Sequence, residues 1–99
     1  MSGSSDAAEA ASTATVPDGV ALHARPAADL VRAAGALDRS IVLSLELNGK
    51  RANPRSILGI LGLGATSGTT LGVSARGPDR ASVDGAVSTI VGVIEALRE

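Results

Sequence analysis

The chain contains no cysteine, and no phenylalanine, tyrosine or tryptophan, among its 99 residues. Without cysteine there is no disulfide, no thiolate nucleophile and no Cys-built metal site. Without aromatic rings there is no platform for stacking bases, which counts against binding of nucleic acid. Histidine occurs once, at His23. One histidine and no cysteine exclude most nucleophile–base triads and metal clusters, so neither a metal nor a cofactor is expected. Charge of neither sign dominates: the formal net charge is −1. Such a chain carries no strong basic or acidic field for steering a polyanion or polycation. No apolar run approaches the roughly 20 residues of a membrane span, so no membrane insertion is expected. The start of the chain has neither the positive charge nor the apolar core of a secretory signal. These absences fit a cytoplasmic protein.

What the chain does have is enough aliphatic residue for one small packed domain: 44% of it is hydrophobic. Residues 1–13, rich in Ala and Ser, read as a disordered tail, and residues 14–99 as the domain. Two of the ten acids, Asp6 and Glu9, fall in that tail, which leaves eight acids against nine basic residues in the domain. The basic residues Arg25, Lys50, Arg51 and Arg55 cluster loosely.

Period and punctuation then give the elements. Ala14–Val16 reads as a strand end before the turn Pro17-Asp18-Gly19. Ala27, Leu30, Val31, Ala34 and Leu37 follow Pro26 at helical spacing. Ile41, Leu43, Leu45 and Leu47 alternate as in a half-buried strand, and Asn48-Gly49 is a strong hairpin signal. Lys50–Ala52 is the short return strand, ended by Pro54. Ser56 is a good N-cap for a short apolar helix weakened by Gly59 and Gly62. Leu71, Val73 and Ala75 alternate in a last strand. Val83, Val87, Ile90, Ile94 and Leu97 form the stripe of a last helix. The order is β-α-β-β-α-β-α. Its short connections imply an α+β open-faced sandwich, a four-stranded antiparallel sheet with three helices on one face.

The most informative stretch is Leu22-His23-Ala24-Arg25-Pro26-Ala27-Ala28. Proline is tolerated in the first turn of a helix, so His23 sits at or just before a helix N-terminus. Free N–H groups and the positive end of the helix dipole welcome an anion there, phosphate above all. An imidazole beside such a site, with an arginine two residues on, reads as a phosphate-accepting nucleophile. The plainer alternative is a surface histidine or a cap.

This stretch, with Arg55-Ser56-Ile57-Leu58-Gly59-Ile60-Leu61 and then Leu63-Gly64 and Gly68, resembles the histidine-containing phosphocarrier protein (HPr) family of the bacterial sugar phosphotransferase system. The likeness runs over roughly residues 14–98 and includes the element order. It implies a carrier, not an enzyme. His23 would accept a phosphoryl group on Nδ1 from phospho-enzyme I, with Arg25 contacting that group. His23 would then pass it to the A components of sugar permeases. The resemblance also implies a monomer, and a partner surface formed by Ala24, Ile57, Leu58 and Leu61. The sequence departs from the family in one place: Ala21 stands where the family usually has the glycine of Gly-Leu-His.

Ser56 carries two readings. As an N-cap it is worth about 1 kcal/mol to a marginal helix. As the family's regulatory serine it is a target of an HPr kinase, and a phosphate at a helix N-terminus is electrostatically acceptable. Ile57, Leu58 and Leu61 either face solvent as a small docking patch or are buried; for Ile60 and Leu63 burial is preferred. Gly62–Gly68 lacks dinucleotide spacing and has no phosphate-loop lysine. Two other circuits stay open: an HPr-like relay of the nitrogen or dihydroxyacetone type, and a module that regulates through Ser56 alone.

Overall fold

The computed structural model describes residues 7–98. Its elements run β1 (Ala8–Thr15), α1 (Ala24–Gly35), β2 (Val42–Leu47), β3 (Lys50–Ala52), α2 (Ile57–Leu63), β4 (Thr70–Gly77) and α3 (Arg80–Glu95). The strands form one sheet in the order β1-β4-β2-β3, and every neighbouring pair is antiparallel. This is the expected β-α-β-β-α-β-α sandwich.

One face of the sheet is apolar because the strands alternate. Register places Ala14 beside Leu71, Leu43 beside Ala75, and Leu45 between Val73 and Ala52. All of these are buried. They meet Ala27, Leu30 and Ala34 of α1, Ile60 and Leu63 of α2, and Val83, Val87, Ile90 and Ile94 of α3. The opposite face is open, and Val42 is 55% exposed on it. With no aromatic residue, the volume is filled by Leu, Ile, Val and Ala alone, and no polar or charged residue is buried among the described residues.

Local signals decide the turns. Asn48 and Gly49 both take positive φ, 52° and 81°, the conformation that a two-residue hairpin requires. Gly64 ends α2 in the left-handed region at φ 67°, and its N–H donates to the carbonyl of Leu61. Asp79 caps α3 by accepting from the N–H of Ser82.

The expected tail over residues 1–13 needs correction. Ala8–Thr13 belong to β1, which pairs with β4 from Ala8 opposite Gly77 to Thr15 opposite Thr70. A stretch of Ala, Ser and Thr has little strand signal of its own. It is ordered because β4 offers a ladder along its whole length and α3 covers one side. The first part of the expected tail, residues 1–6, lies outside the described residues.

Candidate functional site

His23 is the N-cap residue of α1, with extended backbone at φ −104° and ψ −163°. Its side chain makes no capping hydrogen bond, and the residue is exposed. Its carbonyl accepts from Ala27 N–H at 2.9 Å, closing the first turn. Between them stand Ala24, Arg25 and Pro26. Proline has no N–H, so the amides that α1 leaves without an intrahelical acceptor are those of Ala24 and Arg25. Both residues are exposed, while Pro26 is buried and fixes the entry of the helix. The site is therefore an imidazole, two outward amides and a guanidinium within one turn.

The loop leading to His23 is tied down on its other side. Leu22 N–H donates to Ala65 O at 3.0 Å, and Leu22 is buried. Gly19 N–H donates to Ser67 Oγ at 2.8 Å. His23 N–H donates to Ala21 O at 2.9 Å. Ala21 does not take a positive φ; among the described non-glycine residues only Asn48 does. Alanine is thus accommodated before Leu22 without left-handed backbone, and Gly19 takes the positive φ of this loop, 81°.

Ser56 is the N-cap of α2, and its Oγ accepts from Gly59 N–H at 3.1 Å. The two halves of the apolar expectation separate cleanly. Ile60 and Leu63 are buried, whereas Leu58 is 78% exposed, Ile57 39% and Leu61 37%. Since α2 packs on α1, this exposed apolar patch and the His23 turn belong to one helix layer.

Arg55 was grouped with Arg25, Lys50 and Arg51 as a loose basic cluster, and the structure removes it. Its Nε donates to Ala34 O at 3.2 Å, and its Nη1 to Ile41 O at 2.7 Å. Its Nη2 donates to Leu37 O at 3.2 Å and Asp38 O at 2.9 Å. These carbonyls belong to the end of α1 and the turn into β2; two of them, Ala34 O and Asp38 O, also accept the backbone N–H groups of Leu37 and Ile41. Arg55 is therefore a clamp between the α2 cap and the α1 C-terminus. Sequence reasoning missed it because the partners are carbonyls, which leave no mark in a residue pattern. Asp38 in the same turn accepts from both N–H and Oγ of Ser40, at 2.8 and 2.7 Å. Those bonds, with a smaller contribution from Arg55, hold its carboxyl below the usual aspartate range.

Among the described residues, no group of His, Cys, Asp and Glu is arranged to hold a metal ion. No helix is long and apolar enough to cross a membrane.

Comparison with known proteins agrees with this geometry. The model of the HPr component phosphorylation site of the phosphotransferase system matches residues 10–96. A phosphocarrier protein HPr from Bacillus anthracis is similar in fold, with a TM-score of 0.76 at 24% identity. The alignment covers 88% of this chain and 98% of that one. A histidine-containing phosphocarrier protein described for Mycoplasma is 30% identical, with a TM-score of 0.70, over 85% of this chain and 90% of its own. The catabolite repression HPr of Bacillus subtilis is 27% identical, with a TM-score of 0.62, over 90% of this chain and all of its own.

Proposed function

Because the chain belongs to the HPr family, whose phosphorylation-site model matches nearly all of it, we propose that it relays a phosphoryl group through His23. The observation that carries this reading is the turn at the start of α1. An exposed imidazole occupies the cap position, two amides beside it have no intrahelical acceptor, and the exposed Arg25 follows two residues on.

The lone pair of Nδ1 attacks the phosphorus of the phosphohistidine on enzyme I. A new N–P bond forms as the donor's N–P bond breaks, and its electron pair returns to the donor ring. Transfer to the A component of a sugar permease repeats the exchange with His23 as leaving group. Such a step needs positioning and charge stabilisation more than covalent help. The Ala24 and Arg25 amides and the Arg25 guanidinium supply them as charge-assisted donors. Ala24, Ile57, Leu58 and Leu61 form the docking patch, small enough for a transient encounter. The protein acts in the cytoplasm as a carrier that turns over nothing of its own.

Ser56 supports a second role, as the target of an HPr kinase. It already stands at the N-terminus of α2, where a phosphate oxygen could accept from the amides that the hydroxyl now caps. The added charge would meet partners beside the docking patch and lower docking.

The deciding experiment is incubation with cognate enzyme I, magnesium and phosphoenolpyruvate, followed by intact mass. One phosphoryl group should appear, labile in acid and stable in base, and none on His23→Ala. Arg25→Ala should slow transfer by tenfold or more, roughly 1.4 kcal/mol of barrier. Arg25→Lys should recover only part, since it lacks the planar fork. An unlabelled wild-type chain overturns the proposal.

A further inference from the structure

The free edge of the sheet at β1 is closed at both ends by the two ends of α3. Residues of an antiparallel strand alternate between facing one neighbour and facing the other side. On β1 the even residues face β4; beyond the strand, Val16 continues this by donating to Thr69 O and accepting from Gly68 N–H. Glu9, Ala11, Thr13 and Thr15 therefore present their backbone groups outward. Arg80, the first residue of α3, donates from Nη1 to Glu9 O at 2.7 Å. Glu95, the last, accepts Thr15 N–H on Oε2 at 3.2 Å. Between these caps the amides and carbonyls of Ala11 and Thr13 remain on the edge. The side chains there are small and uncharged: Ala10, Ala11, Ser12 and Thr13.

We propose that the β1 edge is a homotypic pairing surface, held shut by Arg80 and Glu95, and that its occupant is a second copy of this chain. The argument is self-complementarity. Antiparallel pairing about a two-fold axis at Ser12 sets Ala11 opposite Thr13 of the second copy, and Thr13 opposite its Ala11. Each such pair exchanges both of its backbone hydrogen bonds. The same register sets Glu9 opposite Thr15. There the Glu9 carbonyl would accept from the Thr15 N–H of the second copy. Those two groups are the ones that α3 now occupies with a donor of its own and an acceptor of its own. The caps thus satisfy within one chain the bond that pairing would make between chains. No like charges are brought face to face, because Glu9 meets threonine. An unguarded edge of this length is a template for association.

The test is sedimentation equilibrium of the full chain. Arg80→Ala/Glu95→Ala should dimerise at least about tenfold more tightly than wild type, with each single variant between. Arg80→Lys/Glu95→Gln keeps a donor and an acceptor and should stay at the wild-type value. The chain has no cysteine, so Ser12→Cys is a clean probe. Residues on the two-fold axis lie about 4.5 Å apart at Cα, close enough for a disulfide. In the alanine background Ser12→Cys should crosslink rapidly on oxidation, and Ser88→Cys, on the solvent side of α3, should not. If the alanine pair fails to fold, the single variants and their Ser12→Cys forms decide in the same way. A folded alanine pair that stays monomeric overturns the proposal and leaves the edge to a foreign extended segment. So does equal dimerisation of the Lys/Gln pair, because a retained donor and acceptor would then fail to keep the edge shut.

Discussion

The N-termini of α1 and α3 face the same physical problem and solve it in opposite ways. Each presents amides that the helix itself cannot satisfy. At α3 the sequence supplies Asp79, which accepts from Ser82 N–H at 2.8 Å and from Ser82 Oγ at 3.0 Å. At α2 it supplies Ser56, which accepts from Gly59 N–H. At α1 it supplies His23, a poor cap, whose ring makes no capping bond. Capping is cheap in sequence terms, since one aspartate suffices. A helix start without a side-chain cap, in a chain that caps its other helices well, is what the proposed phosphoryl relay at His23 would require.

The comparison breaks most sharply at His23 itself. His23→Asp gives α1 a capping carboxylate, which would accept from Arg25 N–H because Pro26, at the place Ser82 holds in α3, has none. Phosphorylation by enzyme I should vanish completely, while the fold gains about 0.5–1 kcal/mol from the new cap. Thermal unfolding should move up by a few degrees for a domain of this size. Asp79→Ala is the mirror: stability should fall by about 1 kcal/mol with transfer unchanged. A His23→Asp protein less stable than wild type would show that the histidine is not a sacrificed cap.

The α1 C-terminus comes next. Its carbonyls are collected by Arg55 from a distant segment, so this end is closed as firmly as the start is open. Arg55→Ala removes the donor that ties these carbonyls together, although Ala34 O and Asp38 O keep their backbone N–H partners. It should cost about 2 kcal/mol in denaturant unfolding, the range for bonds made by a charged donor. Arg55→Lys should recover less than half, because one ammonium cannot reach carbonyls spread from Ala34 to Ile41. His23 phosphorylation should persist in whatever fraction stays folded. Loss of transfer in a fully folded Arg55→Ala protein would return Arg55 to the site.

The fold was legible wherever local chemistry agreed with the tertiary outcome. Asn48-Gly49, Ser56, the Pro26 turn and the α3 stripe each specify their element alone. For Ile60 and Leu63 the sequence prefers burial, while the exposure of Ile57, Leu58 and Leu61 stays open on the sequence and is suggested by the family resemblance. β1 was not legible: a strand of Ala, Ser and Thr is made by its neighbours, and its pairing with β4 spans more than fifty residues. Arg55 was illegible for the same reason, since its acceptors exist only once α1 has folded. The His23 turn was the reverse case, legible because Pro26 marks a helix start and the lone histidine and Arg25 stand beside it.

Ser56 tests whether a capped start can be reopened. Ser56→Ala removes the acceptor for Gly59 N–H and should cost about 1 kcal/mol, with near-normal transfer. Ser56→Asp keeps an acceptor at the cap and should hold stability near wild type. It also adds a charge beside the proposed docking patch, which should raise the apparent KM for enzyme I with less change in kcat, more so at low salt. If Ser56→Asp matches wild type at both low and high salt, Ser56 is a cap and nothing more.

The smallest effect is at the turn after α1, where Asp38 ties back Ser40. The Ser40 N–H and Oγ–H bonds lower the carboxyl below its ordinary value, helped by the Arg55 charge. A depressed carboxyl stabilises the folded state when ionised, so its contribution is in full force above the unfolded aspartate value, about 3.9. It is lost as pH falls through the lower folded value. Asp38→Asn keeps an acceptor oxygen but cannot titrate. Wild type should therefore exceed Asp38→Asn in stability at pH 7, and the gap should close in acid below about pH 4. Because Asp38 is fully exposed, solvent screens the interaction and the gap should shrink further with salt. A gap that is constant from pH 7 to pH 3 would mean that the turn depends on the shape of the side chain and not on its charge. The closed end of α1 would then rest on Arg55 alone.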